Sequence, residues 1–294
     1  MNLGVFLAIG ESLSDLEKKG QLKRLLNYNI KKYSQNFEKV YIFSYKNEKG
    51  FKLPKNCYLV SNHGNINRYI YSLMLPFFKS KEVRSCDVLR GLQLSGGIPA
   101  SISKLFFGKK FTFNYGYDYS QFAAIENKLL QSILYKLIET PILVLANKAI
   151  VTSKEVQKKL TEKVSNKKLV YIPNGVDTDL FKQLSQKTNK KFTILFVGRF
   201  ENQKNLENLI LGTKQLPTPK LIFIGDGSLK NRLMKLARKE KVELEIKPPV
   251  DYEKLPRELS NADVLALVSH IEGNPKILLE AMSCSKAVLC SESA

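Results

Sequence analysis

Histidine and cysteine are scarce in this 294-residue sequence: two of the first, four of the second. Four cysteines in so long a chain make no disulfide framework, and Cys57, Cys86, Cys284 and Cys290 include no Cys-x-x-Cys pair for a structural zinc. Two histidines leave little room for His-rich metal chemistry. No run of ~18 uninterrupted apolar residues occurs, so no membrane-spanning helix is expected. The longest candidate, ILYKLIETPILVLANKAIV (133–151), is broken by Lys136, Glu139, Pro141 and Lys148. The opening MNLGVFLAIGESLSD has a short apolar run, no basic region before it and acidic residues after it. That reads as a first β-strand rather than a signal peptide, and with reduced cysteines it points to the cytoplasm.

Acidic residues are the minority charge, 27 Asp and Glu against 47 Lys and Arg, for a net +20. The imbalance is uneven. Residues 1–183 hold 29 basic and 14 acidic residues; residues 184–294 hold 18 and 13. A field of this sign attracts nucleic acid, anionic lipid or phosphorylated ligands, although solvated surface lysines account for it equally well. No RNP-type aromatic motif, zinc finger or helix-turn-helix accompanies the charge, so nucleic acid is not expected as a partner. An anionic membrane surface suits it better, at ~1 kcal/mol per basic residue near the leaflet.

Hydrophobic residues make up 44% of the chain, enough for real cores, and the length suits two domains at ~150 residues each. Short β-rich runs alternate with helical stretches throughout. In the first half the expected strands are 3–9, 40–45, 56–61, 88–94, 110–116, 148–153 and 168–177. The 88–94 strand should lead into a glycine turn at Gly96–Gly97. Residues 121–147 form a long apolar helical region, bent or broken near Pro141. This region reads as a core helix or as a surface helix that docks on a membrane. After the polar stretch LSQKTNKK (184–191) come five more strands, KFTILFVG, KLIFIG, VELEIK, ADVLALVS and KAVLC, with helices between. This alternation predicts an α/β protein of two Rossmann-like domains, 1–183 and 184–294, with parallel sheets facing a cleft.

Three segments of the second half carry candidate chemistry. In HIEGNPKILLEAMSC (270–284) a strand leads to Glu272, Gly273, Asn274 and Pro275, then an apolar helical pattern. Asn caps helices well and Pro suits the first helical position, so the helix is expected to start at Asn274–Pro275. Its first-turn N–H groups would form an anion site, and Glu272 and Glu280 could accept hydrogen bonds from sugar hydroxyls. Taken alone, the segment is also an ordinary capped crossover. In FVGRFENQKNLENLI (196–210) a strand ends at Gly198, followed by Arg199 and Lys204. These are cations for a diphosphate, or two solvated surface charges. FIGDGSL (223–229) is a strand and a glycine turn, a weak signal by itself.

Together with IPNGVDTDLF (172–181), these segments resemble the glycosyltransferase family 4 enzymes, of the two-domain GT-B fold. Glu272 and Glu280 match that family's Glu-x7-Glu pattern. The resemblance is firm over 168–294 and general before that. It implies a retaining glycosyltransferase that takes a sugar from a nucleotide-sugar donor held by the second domain. By matched position, Arg199 and Lys204 would neutralise the donor diphosphate, and Glu272 would contact the transferred sugar. Gly198 would border the site. Gly273, Asn274, Pro275 and Lys276 would meet sugar and distal phosphate, and Glu280 would hold the ribose. Lys247 to Val250 would lie at the base. Pro248 replaces a usual glycine, Asn274 a common aromatic and Val268 a common proline. No cofactor and no divalent metal are expected, because cations already face the leaving group.

On the acceptor side, Gly10, Glu11 and Ser12 follow the first strand, with Arg90, Ser95, Gly96 and Gly97 further on. Tyr115 stands where the family often presents a histidine. His63 reads as a loop residue. The expected acceptor is a glycan or polyprenyl-linked glycolipid in surface polysaccharide or glycolipid biosynthesis. The protein would be cytoplasmic or peripheral on the inner face of the plasma membrane. Family members continue beyond the KAVLC strand, so the second domain is expected to be truncated. Two rivals stand beside this reading: a nucleotide-sugar epimerase of the same architecture, and a non-enzymatic basic binder of nucleic acid or membrane.

Overall fold

The computed structural model describes residues 1–64, 66–184 and 191–292, so the polar stretch 184–191 lies largely outside the described residues. The chain divides into two compact units. One comprises Met1–Ser120 and Ile133–Ile172; the other comprises Gln121–Ser132 and Pro173–Ala294. This division differs from the sequence-based boundary at 183/184 in two ways. The junction falls at 172/173, and a twelve-residue piece of the first half, 121–132, groups with the second unit.

The first unit is built on a seven-stranded parallel sheet in the order β3-β2-β1-β4-β5-β6-β7. Its strands are β1 (Asn2–Phe6), β2 (Lys39–Phe43), β3 (Cys57–Val60), β4 (Val88–Gly91), β5 (Lys110–Tyr115), β6 (Lys148–Val151) and β7 (Leu169–Tyr171). Val5 and Phe6, successive and fully buried, show why β1 is a continuous apolar run: helices cover both sheet faces. The crossovers carry α1 (Leu13–Lys18), α2 (Leu22–Arg24) running through a π-helical stretch (Leu25–Ile30) into α3 (Lys31–Asn36), α4 (Arg68–Phe78), α5 (Ser80–Ser85) and α6 (Gln93–Phe107). After β5 follow α7 (Tyr119–Ile125) and α8 (Leu129–Leu145), and after β6 α9 (Lys154–Thr161).

Two local expectations are corrected. Gly96 and Gly97 form no turn; they lie inside α6, both buried. A Cβ on Gly91 would sit 2.6 Å from the Gly96 carbonyl carbon, so these glycines let the helix backbone rest directly on strand β4. The apolar region 121–147 breaks not at Pro141, which stays within α8, but at Asn127. Asn127 takes φ 57°, and the N–H groups of Asn127 and Lys128 bond back to Ala124 and Ala123 at 3.0 and 2.8 Å, closing α7. Nor is α8 a core helix along its length. Ile142 and Leu143 are buried, but Ile133, Leu134 and Leu137 are 48–65% exposed.

The second unit holds a five-stranded parallel sheet in the order β10-β9-β8-β11-β12. The strands are β8 (Thr193–Val197), β9 (Lys220–Ile224), β10 (Glu243–Lys247), β11 (Val264–Leu267) and β12 (Ala287–Cys290). Between them lie α10 (Leu206–Thr213), α11 (Lys230–Lys239), α12 (Leu255–Ser260) and α13 (Lys276–Ser283). Phe196, Phe200 and Phe223 pack in its core in tilted and edge-on contacts, with centroids 5.6–6.2 Å apart. The strand order reverses at β8, which has β9 on one side and β11 on the other. Ligands of open parallel sheets bind at the carboxyl ends of the strands beside such a reversal. That geometry directs attention to the loops after β8 and β11.

Candidate functional site

Strands β8 and β11 run side by side, Ile194 opposite Val264 and Leu195 opposite Leu265. The loops at their carboxyl ends are therefore neighbours. The first carries Arg199 and Lys204, the second Glu272. Lys204 closes a 3-10 turn, Asn202–Lys204, and its ammonium pairs with the Glu272 carboxylate. Both side chains are mostly withdrawn from water, 13% and 12% exposed. Gln203 ties the two loops together. Its carbonyl accepts the His270 N–H at 2.8 Å, and its side-chain amide donates to the Ile271 carbonyl at 2.5 Å.

The loop after β8 is held from below by the glycine turn after β9. Phe200 N–H donates to the Asp226 carbonyl at 2.9 Å, and Leu229 N–H to the Phe200 carbonyl at 3.0 Å. The backbones touch: a Cβ on Gly225 would lie 1.9 Å from the Gly198 oxygen, and one on Gly227 2.5 Å from that of Phe200. The weak Gly-Asp-Gly signal thus has a physical role, since only glycine allows this approach.

Segment 121–132 braces the same loop. The Arg199 guanidinium lies 5.1 Å from the centre of the Phe122 ring, a cation–π contact. The Glu126 carboxylate accepts the Gln203 N–H at 2.8 Å. Arg199 is exposed and pairs with no carboxylate among the described residues. The site thus has one cation presented to solvent and one neutralised by Glu272.

Asn174 reaches from the 172–181 segment to the second loop, its side-chain amide donating to the Asn274 carbonyl at 2.6 Å. Gly273, Asn274, Pro275 and Lys276 lie in or at the end of this loop. Helix α13 starts at Lys276 with Pro275 in the cap position, so Asn274 is not the cap expected from sequence. Glu280 is 3% exposed. Its carboxylate accepts the Tyr252 hydroxyl at 2.9 Å, and the Tyr252 ring packs 5.1 Å from Phe181. At the end of β10, Lys247 pairs with Glu258 at 2.7 Å, and Val250 lies half-buried in the following loop.

An Asp-x-Asp triplet is present at Asp177–Asp179. Its first carboxylate is used locally, accepting the N–H groups of Asp179 and Leu180 at 3.0 and 3.1 Å. Among the described residues no group of three or more His, Cys, Asp or Glu side chains is gathered where it could hold a metal ion.

In the first unit, the residues after β1 are committed to their own fold. Gly10, at φ 73°, donates its N–H to Ser72 at 3.2 Å, and the Glu11 carboxylate pairs with Lys19 at 2.8 Å. Glu48 accepts the N–H groups of Leu13 and Ser14 at 2.9 and 3.1 Å, filling the start of α1 with a carboxylate. Tyr115 needs a correction. It is 2% exposed and its hydroxyl donates to Glu139, which also takes the Lys163 ammonium. Burial first, then Glu139, pushes the Tyr115 pKa far above its ordinary value. It is a core residue and offers no surface to an acceptor. Arg90 bonds Asn114 at 2.9 Å and lies 5.5 Å from the Tyr33 ring.

Sequence reasoning missed Phe122, Glu126, Gln203 and Tyr252, and gave Asn174 no role of its own. No local signal marks the first two, each of which lies 77 residues before its partner in the loop it braces. Asn174 stood within a segment already singled out.

Comparison with known proteins fits this geometry. Residues 177–294 match the model of the family Glycosyl transferases group 1. A 187-residue stretch is 29% identical to N-acetylgalactosamine-N,N'-diacetylbacillosaminyl-diphospho-undecaprenol 4-alpha-N-acetylgalactosaminyltransferase of Campylobacter jejuni, covering 60% of this chain and 47% of that one. The chain spans about half the length of the curated relatives it matches. Among solved structures, sucrose-phosphate synthase from Thermosynechococcus elongatus superimposes with a TM-score of 0.85 at 18% identity, over 100% of this chain and 82% of that one. Anabaena HepE in complex with UDP and glucose gives 0.74 at 16% identity, over 100% and 81%. The fold is that of the GT-B glycosyltransferases, as the order of the second-half segments implied.

Proposed function

We propose that this chain is a retaining glycosyltransferase that moves a sugar from a nucleotide-sugar donor to a glycan or polyprenyl-linked glycolipid. The observation that carries the reading is the pairing of loops after β8 and β11 at the strand-order reversal, which sets Lys204 against Glu272 with Arg199 exposed on the same loop. A nucleoside diphosphate brings two or more negative charges there. Arg199 is already presented to meet them. Lys204 turns from Glu272 to the diphosphate, and Glu272 is then released to accept hydrogen bonds from the sugar. As the bond from the anomeric carbon to the phosphate oxygen breaks, negative charge grows on the departing diphosphate. Arg199, and Lys204 once binding has turned it, already face the diphosphate when that charge grows and stabilise it electrostatically. The acceptor oxygen bonds to the anomeric carbon on the same face, and its proton leaves with the phosphate.

Further support comes from the neighbours. The Campylobacter relative is named for a diphospho-undecaprenol-linked acceptor, and the HepE structure holds UDP and glucose. Glu280 and Tyr252 form a buried acceptor–donor pair suited to a ribose, and the Lys247–Val250 segment borders a base. The donor is activated without a divalent metal, and the chain acts at the inner face of the plasma membrane in surface polysaccharide or glycolipid assembly. Among the described residues no helix is long and apolar enough to cross a membrane.

The test is donor turnover with a polyprenyl-diphosphate-linked sugar as acceptor, with and without a chelator. Expected is an α-linked product from an α-linked donor, formed undiminished in chelator. A β-linked product would overturn retention. An epimerised donor with no acceptor product would overturn transfer itself.

A further inference from the structure

Helix α4 is apolar on both sides. Tyr71 and Leu75 face the core of the first unit, while Ile70, Leu73, Met74 and Phe77 on the opposite stripe are 37–58% exposed. The outward stripe does not end with the helix. Phe77 meets Phe106 of α6 edge-on with centroids 5.0 Å apart, and Leu105 and Phe106 are 65% and 64% exposed. The last turns of two adjacent helices thus share one open apolar surface. A helix facing water is ordinarily polar on its outer side, and exposed apolar surface that continues across elements marks an interaction site.

The surroundings are basic. Between residues 66 and 110 there are eight Lys and Arg but only two acids, Glu82 and Asp87. Among the described residues, Lys79, Lys81, Lys104, Lys109 and Lys110 form no ion pair with a carboxylate. Lys109 donates instead to the Arg84 and Cys86 carbonyls at 2.5 and 2.8 Å, and Lys104 to the Asn147 side chain at 3.3 Å. Arg84 lies over the Phe107 ring at 4.4 Å. A second copy of the chain pairing through the same face brings no matching negative charge, because that face carries the same excess of lysines. A lipid surface with negative headgroups does: the apolar stripe enters the acyl boundary while the lysine stems reach back to the headgroups.

We infer that the outer face of α4 with the end of α6 is the surface by which this chain docks on an anionic bilayer, rather than the 121–147 region, where Lys128 and Lys136 are matched by Glu126 and Glu139. The inference deepens the proposed function and rests on it for its purpose, bringing the chain to a lipid-linked acceptor. Its test needs no sugar chemistry.

The full chain is sedimented with phosphatidylcholine vesicles, with and without phosphatidylglycerol. Binding is expected to the anionic vesicles and to weaken with salt. Leu73→Gln/Met74→Gln/Phe106→Gln changes only outward side chains, so the fold is retained; circular dichroism verifies this. That variant should lose at least about tenfold in partitioning, a tenfold step being ~1.4 kcal/mol. Lys79→Glu/Lys81→Glu should lose binding to anionic vesicles in the same way. Ile133→Gln/Leu137→Gln on α8 should bind as the unaltered chain does. The inference is overturned if the unaltered chain ignores both vesicle types. It is equally overturned if the triple variant binds undiminished, or if the unaltered chain sediments as a dimer that the triple variant abolishes. Failure of the glycosyltransferase reading would show separately, as absence of transfer in a chain that still binds vesicles.

Discussion

The two parallel sheets of this chain use the loops at their carboxyl ends in opposite ways. In the first unit those loops satisfy themselves. Glu48 fills the start of α1, Glu11 pairs with Lys19, and Tyr115 and Lys163 share the buried Glu139. In the second unit the loops after β8 and β11 are bound to each other through Gln203 and through the Lys204–Glu272 pair, and they leave Arg199 presented to solvent. One architecture therefore gives a closed edge and an open one. The difference lies in Arg199, an exposed strand-end cation that no carboxylate of the described residues meets, whereas Glu11, Glu48 and Glu139 are each taken up by cations or donor groups of the first unit. A fold does not by itself make a site; uncommitted charge at the strand ends does.

The sharpest way to break the open edge is steric. Gly225→Val would place side-chain atoms within the Gly198 backbone, and we expect loss of the folded second unit or a stability cost of ~3 kcal/mol or more, read by urea unfolding. Arg199→Ala should leave stability within ~0.5 kcal/mol, because the side chain is exposed. It should weaken nucleotide binding by ~1.5–3 kcal/mol, roughly ten- to a hundredfold, by calorimetric titration. At the closed edge the pattern inverts. Glu139→Leu strands the Tyr115 hydroxyl and the Lys163 ammonium, and should cost ~1–3 kcal/mol of stability with nucleotide binding unchanged. Tyr115→Phe should cost only ~1 kcal/mol and spare transfer activity; a large loss of turnover there would restore an acceptor role for this residue.

The thiols give the smallest effect. Burial raises Cys57 to about 11 and Cys86 to about 12, and raises Cys284 as well. All three remain protonated at neutral pH and gain thiolate only as the pH climbs towards those values. Exposed Cys290 should therefore be the one fast-reacting thiol with an aromatic disulfide reagent at pH 7 to 8. Fast reaction of a second thiol would mean that one of the buried positions opens.

Most of the strand pattern was legible because parallel strands covered on both faces must be apolar runs, and residues such as those of β8 and β9 can do little else. Arg199, Lys204 and Glu272 were legible because they follow strand ends at short range. The bracing of their loop was not. Phe122 and Glu126 act across a long chain separation, and only the packed structure brings them to Gln203 and Arg199. Tyr115 misled for a related reason. Its place at the end of β5 is read from sequence order, but the side an aromatic takes depends on where Glu139 waits for its hydroxyl. The Gly96–Gly97 pair looked like a turn because glycine allows one, whereas here it serves close helix–strand packing.

The central claim is that the second unit holds a nucleoside diphosphate through Arg199 and Lys204. The most direct measurement is the melting temperature of the full chain with UDP, GDP, ADP and their sugar conjugates, each in excess. A ligand at ~100 times its Kd stabilises the native state by ~2.7 kcal/mol, a readily measured shift. We expect a clear rise with one nucleotide, cut to about half or less in Arg199→Ala and in Lys204→Ala but kept in Tyr115→Phe. No rise with any nucleotide, or a rise undiminished by both cation substitutions, would contradict it.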